Sequence, residues 1–331
     1  MMLRRALTAA LVALLLPVAS GLTPPPQEPL DVTVATTPAT LQRQYTTTRA
    51  AVRRALAATP PAQDERVAAL RRLARPERQL LGFSAEGRGQ VVEVLGDLVR
   101  AQRVAVIVPG ADHRLEIYDG RPDAEWDAPG GAARALQAEI ARQDPRASVA
   151  VVAWLGYPTP RTAGVEVLTD ATAMRAAAPL RRLVRALHRV NGAEVALLCH
   201  SYGSVVCAHA AAEAPISDLV VYGSPGMGVA SAAELGTRAR VWAARGSADW
   251  IRHVPFLQVD LGALRLGFGT DPTAPRFGAR RFPAADAGHS DYLRPGSPSL
   301  RALARIAAGG EPGRVSGVAA SCQRGPAQCP A

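Results

Sequence analysis

The stretch that decides the fold is Val195-Ala-Leu-Leu-Cys-His-Ser-Tyr-Gly-Ser-Val-Val-Cys207, in which an apolar run leads through a tight turn into a helical segment. Its centre, His200-Ser-Tyr-Gly203, matches most of the G-x-S-x-G pattern of a nucleophile elbow, with Cys199 in place of the first glycine. In such a turn the serine hydroxyl is exposed at the carboxyl edge of a sheet, above a helix N-terminus that favours a developing oxyanion. The stretch therefore predicts Ser201 as a nucleophile.

A serine nucleophile needs a base and an acid that orients the base, and both types follow downstream. Asp249 lies in the loop after the apolar run Val241–Ala244, and His289 precedes the last helical segment. Because Ser-Asp-His is one of the chain orders in which serine triads occur, we predict these two residues as acid and base. A loop aspartate is more often only a turn former. The other nearby acids and the other histidines stay open as alternatives: Asp271, Asp286 and Asp291 for the acid, and His113, His188, His200, His209 and His253 for the base.

The oxyanion of an acyl-transfer reaction needs two backbone donors. We expect the first to be the N–H of Tyr202, which directly follows the nucleophile. The loop after the apolar run Val104–Val108 holds Gly110 and Ala111, and it is the expected source of the second donor.

Short apolar runs rich in β-branched residues alternate with helical periodicity along most of the chain. This alternation predicts an α/β fold with a mostly parallel sheet that is covered on both faces. The predicted strands are Gln79–Phe83, Gln90–Leu95, Val104–Val108, Val149–Leu155, Val195–Cys199, Leu219–Tyr222 and Val241–Ala244. The predicted helices of this region are Gly131–Arg142, Ala171–Val190, Gly203–Ala214, Ser231–Leu235 and Pro298–Ile306.

Six segments together carry a family resemblance: Val106–Gly110, Val152–Tyr157, His200–Ser204, Tyr222–Gly228, Phe277–Phe282 and Gly288–Tyr292. With these segments the chain resembles the actinobacterial α/β-hydrolase family that is catalogued as a domain of unknown function. The resemblance covers about Gln79 to Ile306. It implies an α/β-hydrolase fold and a triad of Ser201, Asp249 and His289, but it implies no substrate.

The N-terminus has the three-part order of a secretory signal peptide. A basic start, Met1–Arg5, precedes the apolar run Ala6–Ala19 and small residues, and a proline-rich stretch follows. The run is shorter than the roughly 20 residues of a comfortable membrane span, so we expect cleavage and export, with no integral membrane segment afterwards. We predict a signal peptide at 1–21, a proline-rich linker and helical hairpin at 22–77, a hydrolase domain at 78–308 and an irregular tail at 309–331.

The four cysteines form two close pairs, which suits an exported protein. Cys322 and Cys329 lie in the tail, where a small bridged loop is the simple interpretation. Cys199 lies two residues before Ser201 on a strand, and Cys207 lies about five residues into the helix that returns along it. The two are therefore level, and we predict a second disulfide between them. No histidines accompany the pairs at zinc-ligand spacing, and two ligands such as His289 and Asp291 do not make a metal site, so we expect no metal and no cofactor.

The charge balance carries less information than the motifs. The 331 residues include 38 basic and 28 acidic side chains, a net charge of +10, and every basic residue other than histidine is arginine. The arginines are spread over helices and form no run interleaved with aromatic residues, so we expect no nucleic-acid partner.

We therefore predict a secreted or cell-envelope serine hydrolase that acts on a small-molecule or lipid-like carboxylic ester or a related acyl compound, and an amide or a thioester stays open as the substrate class. The alternative is a non-catalytic exported binding protein on the same fold, since a fold alone does not establish activity.

Overall fold

The computed structural model describes residues 27–260 and 265–313. The predicted signal peptide and the pair Cys322 and Cys329 lie outside these described residues.

One large sheet organises the fold. Its eight strands run in the order β1-β2-β4-β3-β5-β6-β8-β12, and the pairs from β4 to β12 are parallel, whereas β1 and β2 join them as an antiparallel hairpin. This is the expected mostly parallel α/β sheet. The strands are β1 Gln79–Ser84, β2 Gln90–Leu95, β3 Arg103–Val108, β4 Val149–Leu155, β5 Glu194–His200, β6 Ile216–Tyr222, β8 Arg240–Ala244 and β12 Arg280–Arg281.

Helices cover both faces of this sheet, because alternate side chains of the strands point to opposite sides. In β3, Val104, Val106 and Val108 face one buried cluster, and Ala105 and Ile107 face the other. Two helices pack on the first cluster and two on the second. They are α4 Ala171–Asn191 and α5 Gly203–Ala211 on the first face, and α3 Pro129–Gln143 and α6 Pro298–Ala307 on the second.

The predicted N-terminal hairpin consists of α1 Pro38–Ala58 and α2 Asp64–Leu73. Helix α1 begins as the sequence indicates, with Thr37 accepting a hydrogen bond from the backbone of Thr40 and proline in the first turn. The hairpin shares the core of the sheet, since Tyr45 of α1 is buried in the first cluster.

The order of the strands creates a crevice at the carboxyl edge of the sheet. The chain leaves β3 through α3 on one face toward β4, but it leaves β5 through α5 on the other face toward β6. The two connections therefore diverge at the carboxyl ends of β3 and β5 and leave a crevice between them. Open α/β sheets bind their ligands in such a crevice.

Two predicted helices are shorter in the structure. The segment Ser231–Leu235 forms only a 3-10 turn over Ala232–Leu235, which ends at Gly236 with a φ of 61°. Helix α5 ends at Ala211, because Pro215 has no N–H to donate to the Ala211 carbonyl and its ring would clash with that carbonyl in a continued helix.

Four very short strands form two small additional sheets, and the sequence analysis did not predict them. They are β7 Gly226–Val229 paired with β11 Phe268–Gly269, and β9 Val259–Asp260 paired with β10 Arg265–Leu266. Within the described ranges, no helix is both long and apolar enough to cross a bilayer.

Candidate active site

Ser201 lies at the tip of a sharp turn between β5 and α5. Its φ of 51° is in the left-handed region, a strain that non-glycine residues adopt where the surrounding structure enforces it. The N–H of Ser201 donates to the carbonyl of Tyr222 on the neighbouring strand at 3.0 Å. Two residues on, a Cβ at Gly203 would lie 2.6 Å from the carbonyl oxygen of Val108, so only glycine permits this approach of helix to strand.

The side chains of Ser201, His289 and Asp249 form one hydrogen-bonded chain. Nε2 of His289 is 3.0 Å from Oγ of Ser201, and Nδ1 of His289 is 2.8 Å from Oδ1 of Asp249. The histidine comes from the loop between β12 and α6, and the aspartate from the loop after β8. The structure thus brings together the three residues that chain order selected.

Asp249 is completely buried and fully hydrogen-bonded. Besides His289, its carboxylate accepts from the hydroxyl of Tyr292 at 2.6 Å and from the backbone N–H of Ile251 at 2.9 Å. Burial opposes ionisation, but the bonds and charge of His289, the Tyr292 hydroxyl and the Ile251 N–H outweigh it and lower the pKa of Asp249 below its ordinary value. The carboxylate is therefore charged at neutral pH.

The three alternative acids have other surroundings in the structure. Asp271 pairs with Arg245, and Asp291 accepts from the backbone N–H of Gly288 at 3.2 Å. Asp286 is exposed to solvent.

The other histidines also have different surroundings. His188 contacts the carbonyl of Ala193 at the end of α4, His209 lies 3.4 Å from Asp170, and His253 is exposed. His113 lies in the wall of the cleft, and His200 contacts the backbone of His289.

The predicted oxyanion residues border the nucleophile. A Cβ at Gly110 would lie 2.6 Å from Cβ of Ser201, so the loop after β3 approaches the serine as closely as glycine permits. Ala111 lines the same cleft. Tyr202 is anchored on its far side, where its hydroxyl donates to the carbonyl of Thr169 at 2.7 Å.

His200 and Tyr292 support the triad in roles that were not predicted from the sequence, where His200 was only an alternative for the base. The ring of His200 stacks on Tyr222 with centroids 5.3 Å apart, and its Nε2 lies 2.7 Å from the carbonyl oxygen of His289. Burial, and to a smaller extent the proximity of the His289 and His113 imidazoles, keep the pKa of His200 well below its ordinary value. His200 is therefore neutral and donates through Nε2–H, which fixes the backbone of His289. The position of His200 directly before Ser201, inside the elbow motif, was the sequence feature that could have indicated this role.

The predicted bridge behind the elbow is present. Cys199 and Cys207 form a disulfide with their Cα atoms 6.5 Å apart, which confirms the level placement expected from the strand and helix rises. The bridge occupies the position of the missing first glycine and joins β5 to α5.

An open cleft of about 770 Å³ leads to Ser201. Its wall is largely apolar and includes Leu168, Trp250 and Phe268. The ring of Trp250 lies 4.4 Å from that of His289, centroid to centroid. In residues 27–260 and 265–313, no group of three or more histidine, cysteine or acidic side chains is placed to hold a metal ion.

Comparison with known proteins identifies the family to which the chain belongs. Residues 85–259, more than half of the chain, match the family model described as alpha/beta hydrolase. The uncharacterized protein Rv2079 of Mycobacterium tuberculosis is 32% identical over 254 residues, which cover 67% of this chain and 37% of that protein. The uncharacterized protein Rv0963c of the same organism is 36% identical over 165 residues, or 47% of this chain and 60% of that protein. The chain therefore spans less than two thirds of the length of these relatives.

Solved structures give a weaker likeness. The esterase LipW from Mycobacterium marinum is 15% identical, with a TM-score of 0.40 over 84% of this chain and 90% of that one. The esterase PE8 is also 15% identical, with a TM-score of 0.43 over 64% of this chain and 95% of that one. The match to the family model carries the assignment: the chain belongs to the alpha/beta hydrolase family.

Proposed function

We propose that the protein is a serine hydrolase that cleaves carboxylic esters through an acyl-enzyme on Ser201. The observation that carries this proposal is the unbroken chain of hydrogen bonds from Ser201 through His289 to the buried carboxylate of Asp249, at the inner end of an open cleft. A serine hydroxyl is a weak nucleophile until an adjacent base takes its proton, and this arrangement supplies that base.

In the first half-reaction, Oγ of Ser201 attacks the carbonyl carbon of the ester while its proton passes to Nε2 of His289. The carbonyl oxygen becomes an oxyanion, for which the backbone N–H groups of Tyr202 and of the loop at Gly110 and Ala111 are the proposed donors. The intermediate collapses when the C–O bond to the alcohol breaks. His289 gives the proton to the leaving oxygen, so that an alcohol departs and an acyl-serine remains.

In the second half-reaction, water takes the place of the alcohol. His289 removes a proton from the water, whose oxygen attacks the acyl carbon, and the acid is released as the proton returns to Ser201. Asp249 accepts from Nδ1–H throughout, which fixes the tautomer and stabilises the imidazolium. Its carboxylate suits that task because Tyr292 and Ile251 satisfy its remaining sites.

The test is hydrolysis of a short soluble acyl ester by wild type and by Ser201→Ala. We expect the variant to lose about 10⁴- to 10⁶-fold in rate because triad members act as a unit. Ser231→Ala, a change at a hydroxyl that bonds Glu234 and does not line the cleft, is the matched control and should hydrolyse the ester like wild type. Wild-type turnover by a folded Ser201→Ala protein would refute the nucleophile.

We also propose that the protein works outside the cytoplasm. The signal-peptide pattern of the N-terminus and the Cys199–Cys207 bridge support this, since disulfides persist in oxidising compartments. Fractionation of producing cells should find the protein beyond the cytoplasmic membrane, and a purely cytoplasmic, reduced protein would contradict the proposal.

A further inference from the structure

The exposed large apolar side chains of the described residues are concentrated in two segments. Isolated exposed apolar residues are normally scattered over a protein surface, whereas a concentration marks an interaction site. Here the most exposed are Val165 at 75% and Leu257 at 65%. The full set, which we call the apolar rim, is Val165, Leu168, Met174, Trp250, Leu257 and Val259.

The two segments are held side by side by one stretch of chain. The N–H of Gly267 donates to the carbonyl of Leu168 at 2.9 Å, and the N–H of Gly269 donates to the carbonyl of Leu257 at 3.3 Å. Thr169 also forms a β-bridge with Leu266. Residues 266–269 therefore join the Leu168 segment of the apolar rim to its Leu257 segment.

This surface continues from the wall of the cleft. Leu168, Trp250 and Leu257 line the cleft that leads to Ser201. Val165 lies three residues before Leu168 in a 3-10 turn, where side chains at this spacing eclipse one another. An acyl chain whose ester carbonyl is at Ser201 would thus follow apolar surface out to the rim.

Within the two segments that carry the rim, the exposed charged side chains are basic. In segments 161–175 and 250–259, Arg161, Arg175 and Arg252 are exposed. The acidic residues there, Glu166 and Asp170, are only partly exposed, and each has a partner. Apolar side chains bordered by arginines are complementary to a lipid surface with anionic headgroups.

We propose that the apolar rim docks on an anionic lipid surface, from which the ester of a long acyl chain enters the cleft. This inference rests on the proposed esterase function and names its substrate class. The apolar side chains of the rim insert among the acyl chains of the lipid, and the arginines pair with headgroup phosphates. The ester then reaches Ser201 without passing through water.

The test separates docking from chemistry. Binding is measured by co-sedimentation with vesicles of phosphatidylcholine and phosphatidylglycerol, with every protein carrying Ser201→Ala so that no lipid is consumed. The test variant combines Val165→Ser, Met174→Ser and Val259→Ser, three positions outside the cleft. The matched control changes the same three positions to leucine, which keeps them apolar.

We expect the wild-type rim and the leucine control to bind the vesicles, and the serine variant to bind at least about 10-fold more weakly, since apolar area is lost from each position. With Ser201 restored, the serine variant should hydrolyse a short soluble ester at the wild-type rate and lose hydrolysis of a long-chain ester held in the vesicles.

Absence of vesicle binding by the wild-type rim, or equal binding by the serine variant, would overturn the inference. So would a dimer in sedimentation that the serine changes dissociate, because the rim would then be a contact between copies of the chain. Failure of the wild type to cleave the short soluble ester would instead refute the proposed function, and the two failures are therefore distinguishable.

Discussion

We expect histidine burial to make the stability of this protein depend on pH between 5 and 7.5. His113 in the cleft wall is 9% exposed, and its Nδ1 has no hydrogen-bond partner among the described residues. Burial lowers the pKa of His113 to about 4, against the opposing attraction of Asp127 and Asp112, and Arg88 lowers it further. The folded protein therefore holds this imidazole neutral where the unfolded chain protonates it.

The size of the effect follows from the two pKa values. The stabilisation is complete above pH 6.5, the pKa of an ordinary histidine, and is lost as the pH falls toward the folded-state value of about 4. At pH 5.0 the unfolded state gains about 2 kcal/mol from protonating His113 alone. His200, whose pKa is also lowered, acts in the same direction.

The assay is urea unfolding at pH 7.5 and at pH 5.0 for wild type and His113→Gln. Wild type should lose at least about 2 kcal/mol of unfolding free energy at the lower pH. The variant cannot take up that proton, so its loss should be smaller by about 2 kcal/mol. The buried carboxylates scarcely contribute in this range, since the unfolded chain protonates them only near pH 4.

The control is His253→Gln, because that side chain is exposed in the folded protein as it is in the unfolded chain. It should show the wild-type change with pH. Equal losses in wild type and His113→Gln would refute the idea that burial of this imidazole shapes the pH dependence.

Two further changes test the surroundings of the elbow. His200→Phe removes the donor to the carbonyl of His289 and should lower kcat roughly 10- to 100-fold. His200→Gln keeps a donor and should recover most of the wild-type kcat. Equal kcat values for both variants would contradict a positioning role. Replacing Cys199 and Cys207 by alanine should cost about 2.5 kcal/mol of unfolding free energy, the entropy of a closed eight-residue loop. Alkylation of either cysteine in the denatured, unreduced protein would contradict the bridge.

The sequence allowed the sheet and the elbow to be predicted because both depend on local signals. Strands such as Val149–Leu155 are buried on both faces and appear as continuous apolar runs, and glycine at position 203 marks the close approach of strand and helix. The bridge between Cys199 and Cys207 followed from the rise per residue of two regular elements.

The remaining features depend on contacts that no local pattern records. The choice of Asp249 over Asp271 becomes visible only in three dimensions, where Asp271 pairs with Arg245. The hydroxyl of Tyr292 donates to Asp249, which lies 43 positions earlier in the chain. The sequence around Tyr292 contains no pattern that predicts this hydrogen bond. The two-residue strands β9 to β12 are likewise too short for periodicity and exist only through tertiary pairing.

The most direct measurement of the central claim is covalent labelling of the active serine. The folded protein is incubated with a fluorophosphonate, which reacts with a serine only when a neighbouring base activates it, and the product is analysed by intact mass and peptide mapping. We expect one phosphonyl group for each chain, attached to Ser201, and none on Ser201→Ala. A folded wild-type protein that stays unlabelled, or a label on another serine, would contradict the claim.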